Sequence, residues 1–385
     1  MDRREFLKKT ALVTALTPGL AAEMAVGPAN AGAKTSAGKG KFSRGAAKRS
    51  EIVDCYSHFS CMPVIDYLES AGGPKPHVFR SLFANTPTLI DVDKRLALMD
   101  ETGIARSVLV PLPWIETAPA VHADPEKCLQ AARIVNDALA DIAARRPDRF
   151  CAAALLPTTN EAVMAGEFRR AVKELKMKGG FFVVGPTVKP PDHEDYETLY
   201  QMAVDMDVPL WLHPSRPPTY PDYEGEAVSR YQIWQSLSWL QDSSAAMVRI
   251  VFSGVFDRYP DLKLIIHHHG ALIPLFAERM QYGWEYFEQN TGKKQPTDIS
   301  APYIDHFKKF YCDTATQGVS PRLLDIAGEF FGTDRMLFGS DAPMDATAGR
   351  AFTRDAIASV SQMGVSEGDK SEIFAGNARR LLKLD

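Results

Sequence analysis

The sequence predicts an α/β fold, a closed (β/α)8 TIM barrel. Two observations carry this. Eight short runs rich in Val, Ile, Leu and Phe recur between residues 52 and 339, and longer segments with helical spacing separate them. Polar side chains able to do chemistry fall at the C-terminal ends of several runs, where a closed barrel gathers them on one face. The alternative, an open doubly wound sheet, lacks a glycine-rich phosphate loop after the first run.

The strand candidates are Ile52–His58, Ser107–Pro111, Phe150–Leu156, Gly180–Val184, Pro209–His213, Leu262–His268, Phe310–Asp313 and Met336–Gly339. Between them, the segment after Asp91 has a capping residue and stops at Gly103. The pattern from Cys128 ends at Pro147, and the next begins at Asn160 and closes at Gly179-Gly180. Segments from Tyr196 and Ser320 behave alike. Two stretches rich in Pro with Gly or Tyr, Ser60–Thr88 and Ser215–Trp234, read as lid-like insertions.

Composition fits an ordinary globular enzyme: 385 residues, 45% hydrophobic and 24% charged. A formal charge of −4 gives no reason to expect nucleic acid as a partner. Cys55, Cys61, Cys128, Cys151 and Cys312 are odd in number and lack CxxC spacing, so they read as mostly buried thiols. Residues 1–33 carry Arg3-Arg4, then Phe6-Leu7, a short weakly apolar stretch, and Ala29 and Ala31. This resembles a bacterial twin-arginine export signal, too short and interrupted to span a membrane, and implies a periplasmic or secreted protein. Residues 34–50, KTSAGKGKFSRGAAKRS, read as a flexible linker, which leaves 51–385 as the barrel domain.

Four strand ends supply the candidate site. The first ends in Tyr56-Ser57-His58, and alternation puts Ile52, Asp54, Tyr56 and His58 on one face. The fifth ends at His213, the sixth in a histidine trio at 267–269, and the eighth leads to Asp341. Two imidazoles and a carboxylate can hold a divalent ion, zinc ahead of manganese, with one position open, while a further histidine moves protons. Asp54, deeper in the barrel, is expected to make a structural hydrogen bond. Trp114, Trp211 and Phe59 stand near these ends and are expected to shape the pocket. Arg216, in HPSRPP, could pair with a substrate carboxylate or with a loop acid.

The segments SGVFDRYPDLKLIIHHHGALIP (253–274), RMLFGSDAPM (335–344) and IFAGNARRLLKL (373–384) carry a family resemblance. The chain resembles the amidohydrolase-related family that includes aminocarboxymuconate-semialdehyde decarboxylase and γ-resorcylate decarboxylase, from about Glu51 to Leu384. The resemblance implies a metal-dependent barrel, commonly dimeric. Gly270 and Pro274 set the register so that His268 is similar to the family's acid/base histidine. His213 and Asp341 resemble its metal ligands, His58 resembles the second histidine of its opening His-x-His, and Arg279 resembles an arginine close to the active site. Strand alternation would turn His267 and His269 elsewhere, as structural residues.

Tyr56 departs from the pattern, standing where the family has His or Glu. It could donate a hydrogen bond beside a metal held by His58, His213 and Asp341. It could itself ligate as phenolate. Or metal affinity could be lost. The leading expectation is non-oxidative decarboxylation of a small unsaturated or aromatic carboxylic acid, with Asp341 or His268 as the catalytic residue that protonates the carbon bearing the carboxylate. Metal-dependent hydrolysis of a lactone, amide or C–C bond is the alternative, and a metal-poor, non-catalytic barrel the third.

Overall fold

The computed structural model describes residues 51–114, 117–292, 299 and 302–385. Residues 1–33 and 34–50, read from the sequence as an export signal and a linker, lie outside the described residues. Parallel ladders join β1 (Ile52–Phe59), β2 (Ile104–Pro111), β3 (Phe150–Ala152), β4 (Ala154–Leu155), β5 (Gly180–Val184), β6 (Leu210–Pro214), β7 (Leu264–Ile266), β8 (Tyr311–Asp313) and β9 (Met336–Leu337), in chain order. β3 and β4 are halves of one stave, broken at Ala153. The ring closes where the Cys55 and His58 amides donate to the Phe338 and Ala342 carbonyls, at 2.8 and 2.7 Å.

Every apolar run overlaps an observed strand, because parallel strands bury both faces between the barrel interior and the helices; β2 begins three residues before its expected start, at Ile104. The sixth run is shorter than its pattern. β7 stops at Ile266, since His268 and His269 take left-handed φ of 57° and 49° and curl the chain into a turn. The break at Ala153 is stitched from outside. Asn136, on the helix Pro125–Arg145, donates to the Leu155 carbonyl at 3.0 Å and accepts from the Leu155 amide at 2.8 Å. Helix Val92–Thr102 has Asp91 accepting from the Lys94 amide and stops at Gly103, whose φ is 82°.

One insertion differs from expectation. Residues 60–88 contain two packed helices, Met62–Ser70 and Val78–Asn85, whose Val64, Ile65, Leu68 and Phe83 are buried in the core. Apolar residues at helical spacing within a Pro- and Gly-rich stretch explain the difference. His77 caps the second helix through Nδ1, 3.2 Å from the Phe79 amide. The five cysteines are free thiols, four of them buried. Among the described residues, no helix is long and apolar enough to cross a membrane.

Arg95, 1% exposed on the helix Val92–Thr102, ties the end of β1 in place. It donates to the Thr88 carbonyl and the Ser57 hydroxyl, both at 3.0 Å, and to the His58 carbonyl. Arg95→Met leaves those acceptors unpaired, and the urea midpoint should fall by an amount equal to about 2–4 kcal/mol at unchanged slope.

Burial pulls the His77 imidazole down to about 4. The unfolded chain therefore binds the proton first, so His77's contribution is intact above about pH 6.5 and is lost as pH falls toward 4. Between pH 7 and 4 the wild type should lose about 2–3 kcal/mol more than His77→Asn, which keeps a capping oxygen. Urea unfolding across that range measures the difference.

Candidate active site

The inner face of β1 presents Tyr56 and His58 to the barrel mouth, both nearly fully buried. His58 Nδ1 lies 3.2 Å from the Pro111 carbonyl, and His213 Nδ1 lies 2.6 Å from the Pro214 carbonyl. A carbonyl only accepts, so Nδ1 carries the proton in each ring and Nε2 presents a lone pair. The two rings stand 5.3 Å apart, centre to centre.

Asp341 is the hub. Its backbone is left-handed, with φ 59°, and its amide donates to the Tyr56 carbonyl at 2.8 Å. Oδ1 faces His58 Nε2 at 3.5 Å, while Oδ2 accepts from Gln317 at 2.8 Å and faces His268 Nε2 at 3.7 Å. Burial opposes ionisation of Asp341, yet His268, His58 and Gln317 hold its pKa at about 2. Burial likewise opposes the charge on His268, and the Asp341 carboxylate overrides it and raises the imidazole. Burial lowers His58 and drives His213 well below its ordinary value. Tyr56 is pushed well above its ordinary value by burial, by the Asp341 and Asp313 charges and by a hydrogen bond to Asp341. The site thus sets a carboxylate beside an imidazole whose protonated form it favours, with His58 and His213 pushed toward neutrality and Tyr56 toward the phenol.

Two neutral imidazoles with free Nε2 atoms and one carboxylate suit an open divalent site. Two donors each about 2.1 Å from one ion stand about 3–3.5 Å apart. His58 Nε2 and Asp341 Oδ1, at 3.5 Å, meet that spacing. Among the described residues, no three His, Cys, Asp or Glu side chains form a ready-made metal cage. The donor types fit, and the gathering is loose.

Strand alternation misplaced His267. Because β7 ends at Ile266, both His267 and His268 reach the mouth. His267 Nδ1 bonds Asp313 Oδ2 at 2.6 Å, and its ring stacks on Tyr56 at 3.7 Å with 17° between planes. The other Asp313 oxygen accepts from the amides of His268 and Ala315, each at 3.0 Å. Gly339 makes room for this packing, since a Cβ there would lie 2.8 Å from Tyr56 Cβ and 2.9 Å from Asp313 Cβ. Asp313 ends the run Phe310–Asp313, a position that marked it in the sequence; Gln317 left no such mark. Asp54 makes its structural bond, accepting from the Ser340 hydroxyl at 2.6 Å.

The proposed pocket residues separate. Trp114 lines a small cleft with Leu155, Leu156 and Val183 and, from neighbouring helices, His122 and Cys128; Tyr56, His58, His213, His268 and Asp341 do not line it. Trp211 is fully buried within the barrel and donates to the Cys55 carbonyl at 3.2 Å, so it packs the core. Phe59 lies on the outer face of β1 beneath the Arg95 guanidinium, 5.3 Å away, because it follows His58 by one residue. Arg216 is taken by a buried carboxylate: Asp242 accepts from it at 2.8 and 2.7 Å, the loop-acid pairing rather than a free guanidinium. Arg279 is exposed on the helix Ile273–Thr291, whose buried contacts run through Ile273 and Ala277. Two residues past Ala277 is the opposite side of a helix, so this chain does not bring Arg279 to its own site.

Comparison with known proteins follows this geometry. A γ-resorcylate decarboxylase from Rhizobium radiobacter is 33% identical over 313 residues, 77% of this chain and 89% of that protein. The crystal structure of 2,6-dihydroxybenzoate decarboxylase from Rhizobium is 27% identical, covers 87% of this chain and 99% of its own, and has a TM-score of 0.70. A dihydroxybenzoic acid decarboxylase from Polaromonas, solved with manganese and 2-nitroresorcinol, is 28% identical, with coverage of 87% and 97% and a TM-score of 0.69. The amidohydrolase family profile matches residues 83–384, beginning after the strand that carries Tyr56 and His58. By that match and these relatives, the chain belongs to the amidohydrolase family.

Proposed function

We propose that this protein is a metal-dependent, non-oxidative decarboxylase, a carboxy-lyase for a small aromatic or unsaturated carboxylic acid. One observation carries the reading. His58, His213 and His268 surround the Asp341 carboxylate at the mouth of a barrel whose relative at 33% identity is a γ-resorcylate decarboxylase.

His58, His213 and Asp341 would hold the ion, with Tyr56 beside Asp341 as a neutral hydrogen-bond donor. A divalent ion bound there supplies Lewis acidity and orients the substrate carboxylate with a neighbouring oxygen. Manganese is the ion to load first, since the Polaromonas decarboxylase holds it, and these relatives give no support to zinc ahead of manganese. Among the described residues His268 has no hydrogen-bond partner on either ring nitrogen, and the Asp341 carboxylate, 3.7 Å from its Nε2, favours its protonated form. His268 passes that proton to the carbon bearing the carboxylate, forming a C–H bond. The bond from that carbon to the carboxylate then breaks, its electron pair restores the conjugated system, and carbon dioxide leaves. Solvent returns the proton to His268.

The reading extends to assembly and location. The helix Ile273–Thr291 exposes Leu275, Phe276, Tyr282, Tyr286 and Phe287, by 41–70%, which supports a homodimer buried along this face. The twin-arginine pattern supports export as a folded protein to the periplasm.

Manganese-loaded protein should release carbon dioxide from a dihydroxybenzoic acid, and chelation should abolish turnover until the ion is restored. Cleavage of a lactone or amide with no carbon dioxide release would favour the hydrolytic alternative. His268→Asn should lower kcat by about 100- to 10,000-fold while the metal content stays that of the wild type.

A further inference from the structure

We propose that His267 supplies a third imidazole to the divalent site, replacing the nitrogen that Tyr56 cannot offer. The inference rests on the metal-binding part of the function proposed above.

His267 is fully buried, and its Nε2 has no hydrogen-bond partner among the described residues. A buried imidazole kept only for packing ordinarily satisfies both nitrogens. Its Nδ1 is committed to Asp313 at 2.6 Å. A carboxylate accepts, so the proton sits on Nδ1 and the unpartnered Nε2 is a lone pair. Carboxylate–imidazole pairing of this kind orients histidines that bind metals and makes them more basic. Asp313 is itself fixed by the two amide bonds to its other oxygen, so the ring it holds is aimed rather than loose.

The neighbours place this ring beside the site. The His267 ring lies flat on Tyr56 at 3.7 Å and stands 5.6 Å from His213, nearly the 5.3 Å that separates His213 from His58. The β1 position that alternation aims into the mouth thus holds a phenol, and an imidazole from the end of β7 packs against that phenol's face. The turn after Ile266 frees His267 from strand alternation and makes this reach possible. His58, His213 and His267 then offer three nitrogens, and Asp341 the oxygen.

Pulsed EPR of manganese-loaded wild type counts directly bound nitrogens without any substitution. Three imidazole nitrogens are expected, and two would overturn the proposal while leaving the decarboxylase reading intact. His267→Phe keeps the stack on Tyr56 and removes Nε2. It should show two nitrogens and bind manganese at least about 10- to 100-fold more weakly, and thermal unfolding of the metal-free protein checks that it folds. Adding Tyr56→His to that variant should return the count to three and recover affinity. Wild-type affinity and nitrogen count in His267→Phe would refute the role. A wild type that binds neither manganese nor zinc would sink the metal reading itself, and this inference with it.

Discussion

The closure of the first strand onto the last is the constraint on which the site depends. The Tyr56 carbonyl accepts from the amides of Ser340 and Asp341, at 3.2 and 2.8 Å. The Asp54 carboxylate accepts from the Ser340 amide at 3.1 Å and its hydroxyl at 2.6 Å. This seam brings Tyr56, His58 and Asp341 within reach of one another and leaves no free sheet edge. Burial raises Asp54 to about 7, so the seam is locked partly by a carboxyl poised between its charged and neutral forms. Arg95 braces the same strand from outside, so the seam is clamped on both faces.

Inside the mouth, low polarity magnifies every charge. Asp341 stays anionic because His268, His58 and Gln317 surround it, and its charge raises the His268 imidazole in return. Burial presses His58 and His213 toward their neutral forms, although His58 Nε2 lies as near the carboxylate as His268 Nε2 does, at 3.5 against 3.7 Å. Left-handed backbone at His268, Gln317 and Asp341 turns these side chains toward one another, at a cost of about 1–3 kcal/mol each. Three such residues in one mouth mark a place where geometry outranks comfort.

Much of this was legible in the sequence. The apolar runs located each strand because parallel strands bury both faces. Asp91, Asn160 and Gly103 marked helix ends through local chemistry alone. His58, His213 and Asp341 were marked by standing at or just past the ends of apolar runs, while His268 was singled out from its trio only by the family resemblance. Legibility failed where long-range partners decide. Arg216 was ambiguous because Asp242, 26 residues away, claims it. His267 was misassigned because alternation holds only while the strand lasts, and β7 ends one residue earlier. Phe59 was misplaced although the same alternation, applied one residue past His58, already turned it outward. Trp211 reads alike as pocket or core, since only the depth of packing separates them.

The bond between Asp54 and Ser340 spans 286 residues of chain. A ribosome extends its product from the N-terminus, so β1 waits through nearly the whole of translation for the segment that completes it. Helices and inner staves can organise earlier, but the reactive mouth has no existence in a truncated product. An incomplete chain is therefore inert by construction, and cofactor loading belongs to the interval after synthesis ends.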